Sequence, residues 1–167
     1  MPPLVLIGLG ANLDHPVWGP PRDTLAAALG SLDANGVATQ VRSRWYRSAP
    51  VPASNQIWYT NAVAIVATDL DPHRLLVLMQ LIEERSGRVH AERNAARVLD
   101  LDLLDYGGER LISPDLILPH PRMHERRFVL EPLAEIAPRW RHPILGLSAP
   151  QLLAELDDEQ ELQRMPC

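Results

Sequence analysis

From Leu99 to Leu104 the chain reads Leu-Asp-Leu-Asp-Leu-Leu, alternating apolar and charged positions at the two-residue period of a β-strand. Leu99, Leu101 and Leu103 share one face and build core, while Asp100 and Asp102 share the other. Strand patterns also cover residues 4–9, 37–46 and 58–68, the last rich in β-branched and aromatic residues. Between them, Leu25, Leu29 and Leu32 recur at the spacing of one helical face, and Asn35-Gly36 supplies a C-terminal stop. Asp71 and Pro72 open a second helix as N-cap and first helical residue; it runs through Glu83 and stops near Ser86-Gly87.

The breakers divide the rest. Residues 10–21 form a loop rich in Gly and Pro, and Ser48-Ala49-Pro50-Val51-Pro52 an extended one, since two prolines in three residues suit neither helix nor central strand. Residues 86–96 are polar and read as a surface loop. Gly107-Gly108 between apolar runs predicts a tight hairpin that pairs the acidic strand with its successor. A short helix is expected at 132–136, opened by its proline. Ser148-Ala149-Pro150-Gln151 has the form of a capping box opening a last helix, and the acidic tail after Asp157 is expected to fray. The order strand, helix, strand, strand, helix, strand predicts an α+β, ferredoxin-like βαββαβ sandwich with a mainly antiparallel sheet and an extra C-terminal hairpin and helices. With 167 residues and no repeat or linker, a single domain over 1–167 is expected.

Composition narrows the partners. A net charge of −5 argues against a general nucleic-acid binder, and no obligate protein partner is evident. The single cysteine, Cys167, leaves no disulfide framework, zinc-spaced cluster or catalytic thiol. The opening apolar run is too short for a signal peptide or a membrane span, so a cytoplasmic protein without membrane contact is expected. All 16 positive residues are arginine, and eight of them fall between Arg85 and Arg127, the stretch that holds the aspartate pair. Arginine makes planar two-pronged contacts with phosphate.

Two carboxylates about 7 Å apart on one strand face repel each other unless cations or donors lie between them. Their oxygens suit magnesium, which takes one or two protein carboxylates and completes its sphere with water and phosphate oxygens. The bland alternative is an exposed face of an antiparallel sheet. Gly8-x-Gly10 lacks the third glycine of a dinucleotide fingerprint and reads as close packing at a strand end. His120 and His124 have the i, i+4 spacing of a zinc pair, but Pro121 and the lack of a third ligand oppose it.

An ordered set of fragments goes further: Gly8-Leu9-Gly10-Ala11-Asn12-Leu13, Tyr46-Arg47-Ser48-Ala49-Pro50, Tyr59-Thr60-Asn61-Ala62, Gly87-Arg88-Val89, Arg93 through Leu104, Pro119-His120-Pro121-Arg122-Met123 and Arg126-Arg127-Phe128. Over residues 3–147 the chain resembles the 6-hydroxymethyl-7,8-dihydropterin pyrophosphokinases of folate biosynthesis, with 148–167 as an acidic helix and tail beyond. The resemblance implies transfer of diphosphate from the co-substrate ATP to the pterin hydroxyl, giving AMP. Asp100 and Asp102 would then hold two magnesium ions. Asp100, Asp102, Arg88 and Arg97 would be catalytic, and Glu83, Arg88, Arg97, His120 and Arg126 would meet ATP. Ser48, Ala49, Val51, Tyr59, Asn61 and Phe128 would bind the pterin, with Tyr59 and Phe128 as its two aromatic faces and Asn61 at its edge. The chain departs from the family's usual Trp-Gly-Pro-Arg with Asn94-Ala95-Ala96-Arg97, and has His90 where a second arginine is common. A nucleotidyltransferase is the nearest enzymatic rival, but its Gly-Ser should lie just before the acidic pair. A non-catalytic nucleotide- or RNA-binding ferredoxin-like module is the rival from another class.

Overall fold

The computed structural model describes residues 3–50, 53–87, 98–157 and 159–166. All seven residues of β1 (Val5–Ala11) are buried, because the strand lies inside a six-stranded sheet with both faces covered or hemmed in. It pairs antiparallel with β4 (Tyr59–Thr68) on one side and β5 (Asp100–Tyr106) on the other. β4 continues the sheet to β2 (Val37–Arg42) and β3 (Tyr46–Ser48), and β3 carries β8 (Leu162–Arg164) on its outer edge.

Strand alternation then assigns the helices to faces. Val5, Ile7, Leu9, Leu101 and Leu103 pack against α1 (Pro21–Ala34) and α2 (Pro72–Arg85), burying Leu25, Leu32, Leu75 and Met79. On the opposite face Leu6, Val63 and Leu104 meet Val129, Leu130 and Leu133 of α3 (Arg127–Ile136) and Leu152 of α4 (Ala149–Glu155). The N-caps of α2 and α4 are those that the local sequence predicts. Asp71 Oδ1 accepts from the Arg74 N–H at 2.8 Å, and Ser148 and Gln151 close a reciprocal capping box. No helix among the described residues is long and apolar enough to cross a membrane.

Four expectations are corrected. The strand expected over 37–46 is two strands, because the register slips between Thr39 and Val41 and the Ser43 hydroxyl then replaces a backbone acceptor, while the Ser43 N–H still meets the Val63 carbonyl. The Ser43 hydroxyl accepts from the Val63 N–H and donates to the Arg44 carbonyl. The acidic strand does not pair with its successor. β5 lies against β1, while β6 (Leu111–Ile112) folds onto β7 (Ile117–Leu118) as a separate hairpin. The helix expected at 132–136 begins at Arg127, with Pro132 inside it. Pro132 forfeits one intrahelical bond, and burial of Val129, Leu130 and Leu133 offsets that loss. The tail is not frayed at 162–164, where its backbone adds an edge strand to β3.

Candidate active site

The sheet register sets the site. Asp100 on β5, Gly10 on β1, Asn61 on β4 and Tyr46 on β3 occupy one row across four strands, with Asp102 and Gly8 paired two residues along. Paired residues share a face, so the two carboxylates and the Asn61 amide project from the same side of the sheet as the α3 and α4 core. Glycine keeps the middle of that row low. A Cβ on Gly10 would stand 3.1 Å from Asn61 Nδ2 and 3.9 Å from the Tyr59 ring, and one on Gly8 would touch the Leu104 side chain at 3.4 Å. Close packing is therefore what the Gly8-x-Gly10 pair serves.

On the acidic side, Asp100 and Asp102 are half-buried. Arg126, at the junction of a 3₁₀ turn (Met123–Glu125) and α3, lies 3.8 Å from Asp102 Oδ2, with its guanidinium over the Phe128 ring at 5.5 Å. Phe128 is half-buried at the border of the α3 core, one side packed and the other toward Arg126. Glu83 is not on a solvated helix end. It is 4% exposed, and its Oε2 accepts from the Leu101 N–H at 2.9 Å, pinning α2 to the backbone between the two aspartates.

His120 is half-buried, with its backbone N–H donating to the Leu104 carbonyl and its ring Nδ1 accepting from the Arg122 N–H. Burial, with Arg126 and Arg122 close by, pushes its imidazole down to about 4. Near neutral pH the ring is therefore uncharged, with its proton on Nε2, so it is a hydrogen-bond donor and not a cation. Because the folded value lies below the ordinary 6.5, the unfolded chain takes up this proton first as pH falls. The stability contributed by this group is full above pH 6.5 and is lost as pH falls from there toward about 4. Urea unfolding at about pH 7.5 and about pH 4.5 is expected to show His120→Asn losing about 2 kcal/mol less than the wild type. Equal losses would refute this assignment.

The other side of the row is hydrogen-bonding and aromatic. Asn61 is buried, and its Oδ1 accepts from the Ser48 hydroxyl at 2.5 Å, which orients the amide with Nδ2 over Gly10. Tyr59 opens β4 opposite Ser48, its ring half-buried beside Gly10. The Ala49 N–H donates to the Glu161 carbonyl at 3.2 Å, so at Ala49 the backbone group left for a ligand is the carbonyl. Asn12 ties the neighbouring loop down through its Nδ2, bonded to Gln56 Oε1 and the Ile57 carbonyl. Arg88, Arg97 and Val51 lie outside the described residues.

Two contributors have no place in the sequence reading. Asp105 is buried on the same face, with Trp140 Nε1 donating to it at 2.8 Å and the Gly108 N–H at 3.2 Å. Burial pushes its carboxyl upward and these bonds oppose that, so this third aspartate of β5 anchors Trp140 and the turn. Gln160 brackets Arg126 from the tail. The donor set fits magnesium: Asp100 and Asp102 offer hard oxygens alone. Among the described residues no three His, Cys, Asp or Glu side chains gather as a metal cluster.

Residues 6–138 match the family described as 7,8-dihydro-6-hydroxymethylpterin-pyrophosphokinase (HPPK). A 2-amino-4-hydroxy-6-hydroxymethyldihydropteridine pyrophosphokinase of Synechocystis is 39% identical over 91% of this chain and 75% of its own. One from Pseudomonas aeruginosa is 39% identical over 97% of this chain and 96% of its own. Among solved structures, a Plasmodium falciparum HPPK-DHPS chain is similar with a TM-score of 0.72 at 14% identity, over 92% of this chain and 45% of that one. That likeness concerns the fold.

Proposed function

Since the chain belongs to the 7,8-dihydro-6-hydroxymethylpterin-pyrophosphokinase family, and is a pyrophosphokinase, we propose that it transfers diphosphate from ATP to the hydroxyl of 6-hydroxymethyl-7,8-dihydropterin in folate biosynthesis. The observation that carries this reading is the single row Asp100, Gly10, Asn61. Adjacent strands lie about 4.8 Å apart, so the carboxylate and the amide stand roughly 10 Å apart across a glycine floor. That span suits a flat heterocycle whose hydroxymethyl arm reaches toward the acidic end.

In the proposed reaction the hydroxymethyl oxygen bonds to the β-phosphorus of ATP. The bond from that phosphorus to the oxygen bridging to the α-phosphorus breaks, and AMP leaves with that oxygen. Asp100 and Asp102 would hold two magnesium ions, whose chemistry there is to offset charge on phosphoryl and leaving oxygens and to acidify the hydroxyl. Either carboxylate can take the hydroxyl proton. Arg126, with Arg88 and Arg97, would bind and orient the triphosphate, and neutral His120 would donate from Nε2. Glu83 would hold α2 and β5 beside the nucleotide. Tyr59 and Phe128 would clasp the pterin rings, and Asn61 would read their edge from an amide fixed by Ser48. Backbone groups of Ala49 and Val51 would complete the contacts.

We also read the sheet as ferredoxin-like. If β2 and β3 are two halves of one strand, the order β5-β1-β4-β2/β3 follows the βαββαβ plan, with β8 added at its edge. Residues 1–167 would form one cytoplasmic domain that needs no nucleic acid, membrane or obligate protein partner. The deciding assay is AMP formation from ATP and magnesium. It is expected only when the pterin alcohol is present, and AMP made equally without it would sink the proposal.

A further inference from the structure

We infer that Gln160 is a positioning residue for Arg126, and that the C-terminal segment 159–165 is a strap holding the nucleotide side of the site in register with the pterin side. The inference rests on the reaction proposed above and names a residue outside the matched family region, which ends at 138. Gln160 uses both ends of its amide: Oε1 accepts from the Arg127 N–H at 2.9 Å, and Nε2 donates to the Glu125 carbonyl at 2.7 Å. These two peptide groups flank Arg126. Arg126 is itself the extended N-cap of α3 and supplies no side-chain cap, so Gln160 caps the helix from a distant part of the chain. The side chain of Arg126 is thereby left for Asp102 and Phe128.

The same segment then runs to the other substrate's side. The Glu161 carbonyl takes the Ala49 N–H, Leu162 pairs with Ser48, and the Met165 N–H reaches the Trp45 carbonyl. Ser48 in turn orients Asn61. Apolar packing does not explain the hold at Gln160. A cleft of about 300 Å³ lies between α3 and the strap, lined by Arg127, Glu131, Gln160 and Glu161 among others. The two amide bonds, with the Arg127 guanidinium on the Asp157 carbonyl, span it. Losing them frees the backbone of a residue whose guanidinium must meet a carboxylate and a phosphate at fixed places, where small misplacements are costly.

The test is calorimetric titration of the full chain with magnesium and a non-hydrolysable ATP analogue, read beside the KM of each substrate. Gln160→Ala is expected to weaken analogue affinity about tenfold and to raise the ATP KM alike, with the pterin KM unchanged. Gln163→Ala, at an exposed side chain of the same C-terminal segment, should leave all of these as they were. In an Arg126→Ala background, Gln160→Ala should add nothing, because its effect passes through Arg126. Unchanged affinity in Gln160→Ala, an equal rise in the pterin KM, or full additivity with Arg126→Ala would each overturn the inference. A wild-type chain that binds the analogue but makes no AMP would end the proposed reaction and still leave the Gln160 comparison readable.

Discussion

Replacing Asp100 or Asp102 with alanine is expected to lower AMP-forming turnover on the order of 10³-fold at saturating magnesium, with the far-ultraviolet spectrum unchanged. The size follows from the chemistry. Phosphoryl transfer asks little covalent work of a protein and much charge neutralisation, and Asp100 and Asp102 are the two hard ligands proposed for the metal. The fold should survive, because the core face of β5 is made by Leu101 and Leu103, on the other side of the strand. The two variants should also differ. Asp102 carries the ion pair to Arg126 at 3.8 Å, so Asp102→Ala would lose a proposed metal ligand and at once release the arginine proposed to bind phosphate. Its ATP KM should therefore rise further than that of Asp100→Ala. Wild-type turnover in either variant would end the two-metal mechanism.

Asn61→Ala is expected to raise the pterin KM on the order of 10²-fold while the ATP KM stays within about twofold. A site built to hydrogen-bond a ligand edge discriminates strongly, because its remaining buried groups go unpaired when the reader is lost. Here the group left behind is the Ser48 hydroxyl, which is buried and donates to Asn61 Oδ1. The variant should accordingly lose about 1 kcal/mol of stability as well. Ser48→Ala removes the orienting bond and keeps the amide, so it should show a smaller rise in pterin KM. Steady-state kinetics with each substrate varied in turn would decide the matter, and a parallel rise in both KM values would refute an edge-reading role.

What the sequence made legible was local. The aspartate pair on one strand face, the Asp71 cap and the Ser148–Gln151 capping box all depend on residues within four positions of one another, and each stands as read. The misreadings share a different cause. β5 chose β1 as its partner across most of the chain, and no turn residue announces such a pairing. The first half of α3 was hidden because Pro132 looks like a helix opener, while the true start at Arg127 takes its cap from Gln160, 33 residues on. β8 has two exposed side chains out of three and no apolar period, and joins the sheet by backbone pairing with β3. Asp105 eluded alternation because the register slips between Leu6 and Ile7. The slip turns Leu104 and Asp105 to the same face, so a carboxylate that strict alternation would bury against α1 and α2 reaches Trp140.

That slip bears on how the protein behaves at high concentration. An edge strand is a template on which another chain can add, but at β5, which ends the described sheet, the Leu101 N–H and the Leu104 carbonyl are already taken by Glu83 and His120. Two carboxylates and a bulge make it a poor one, since charge and local twist both frustrate straight pairing. The carboxylates proposed to gather magnesium also discourage self-association, so alanine variants at Asp100 and Asp102 should be purified dilute and checked for oligomers before their kinetics are compared.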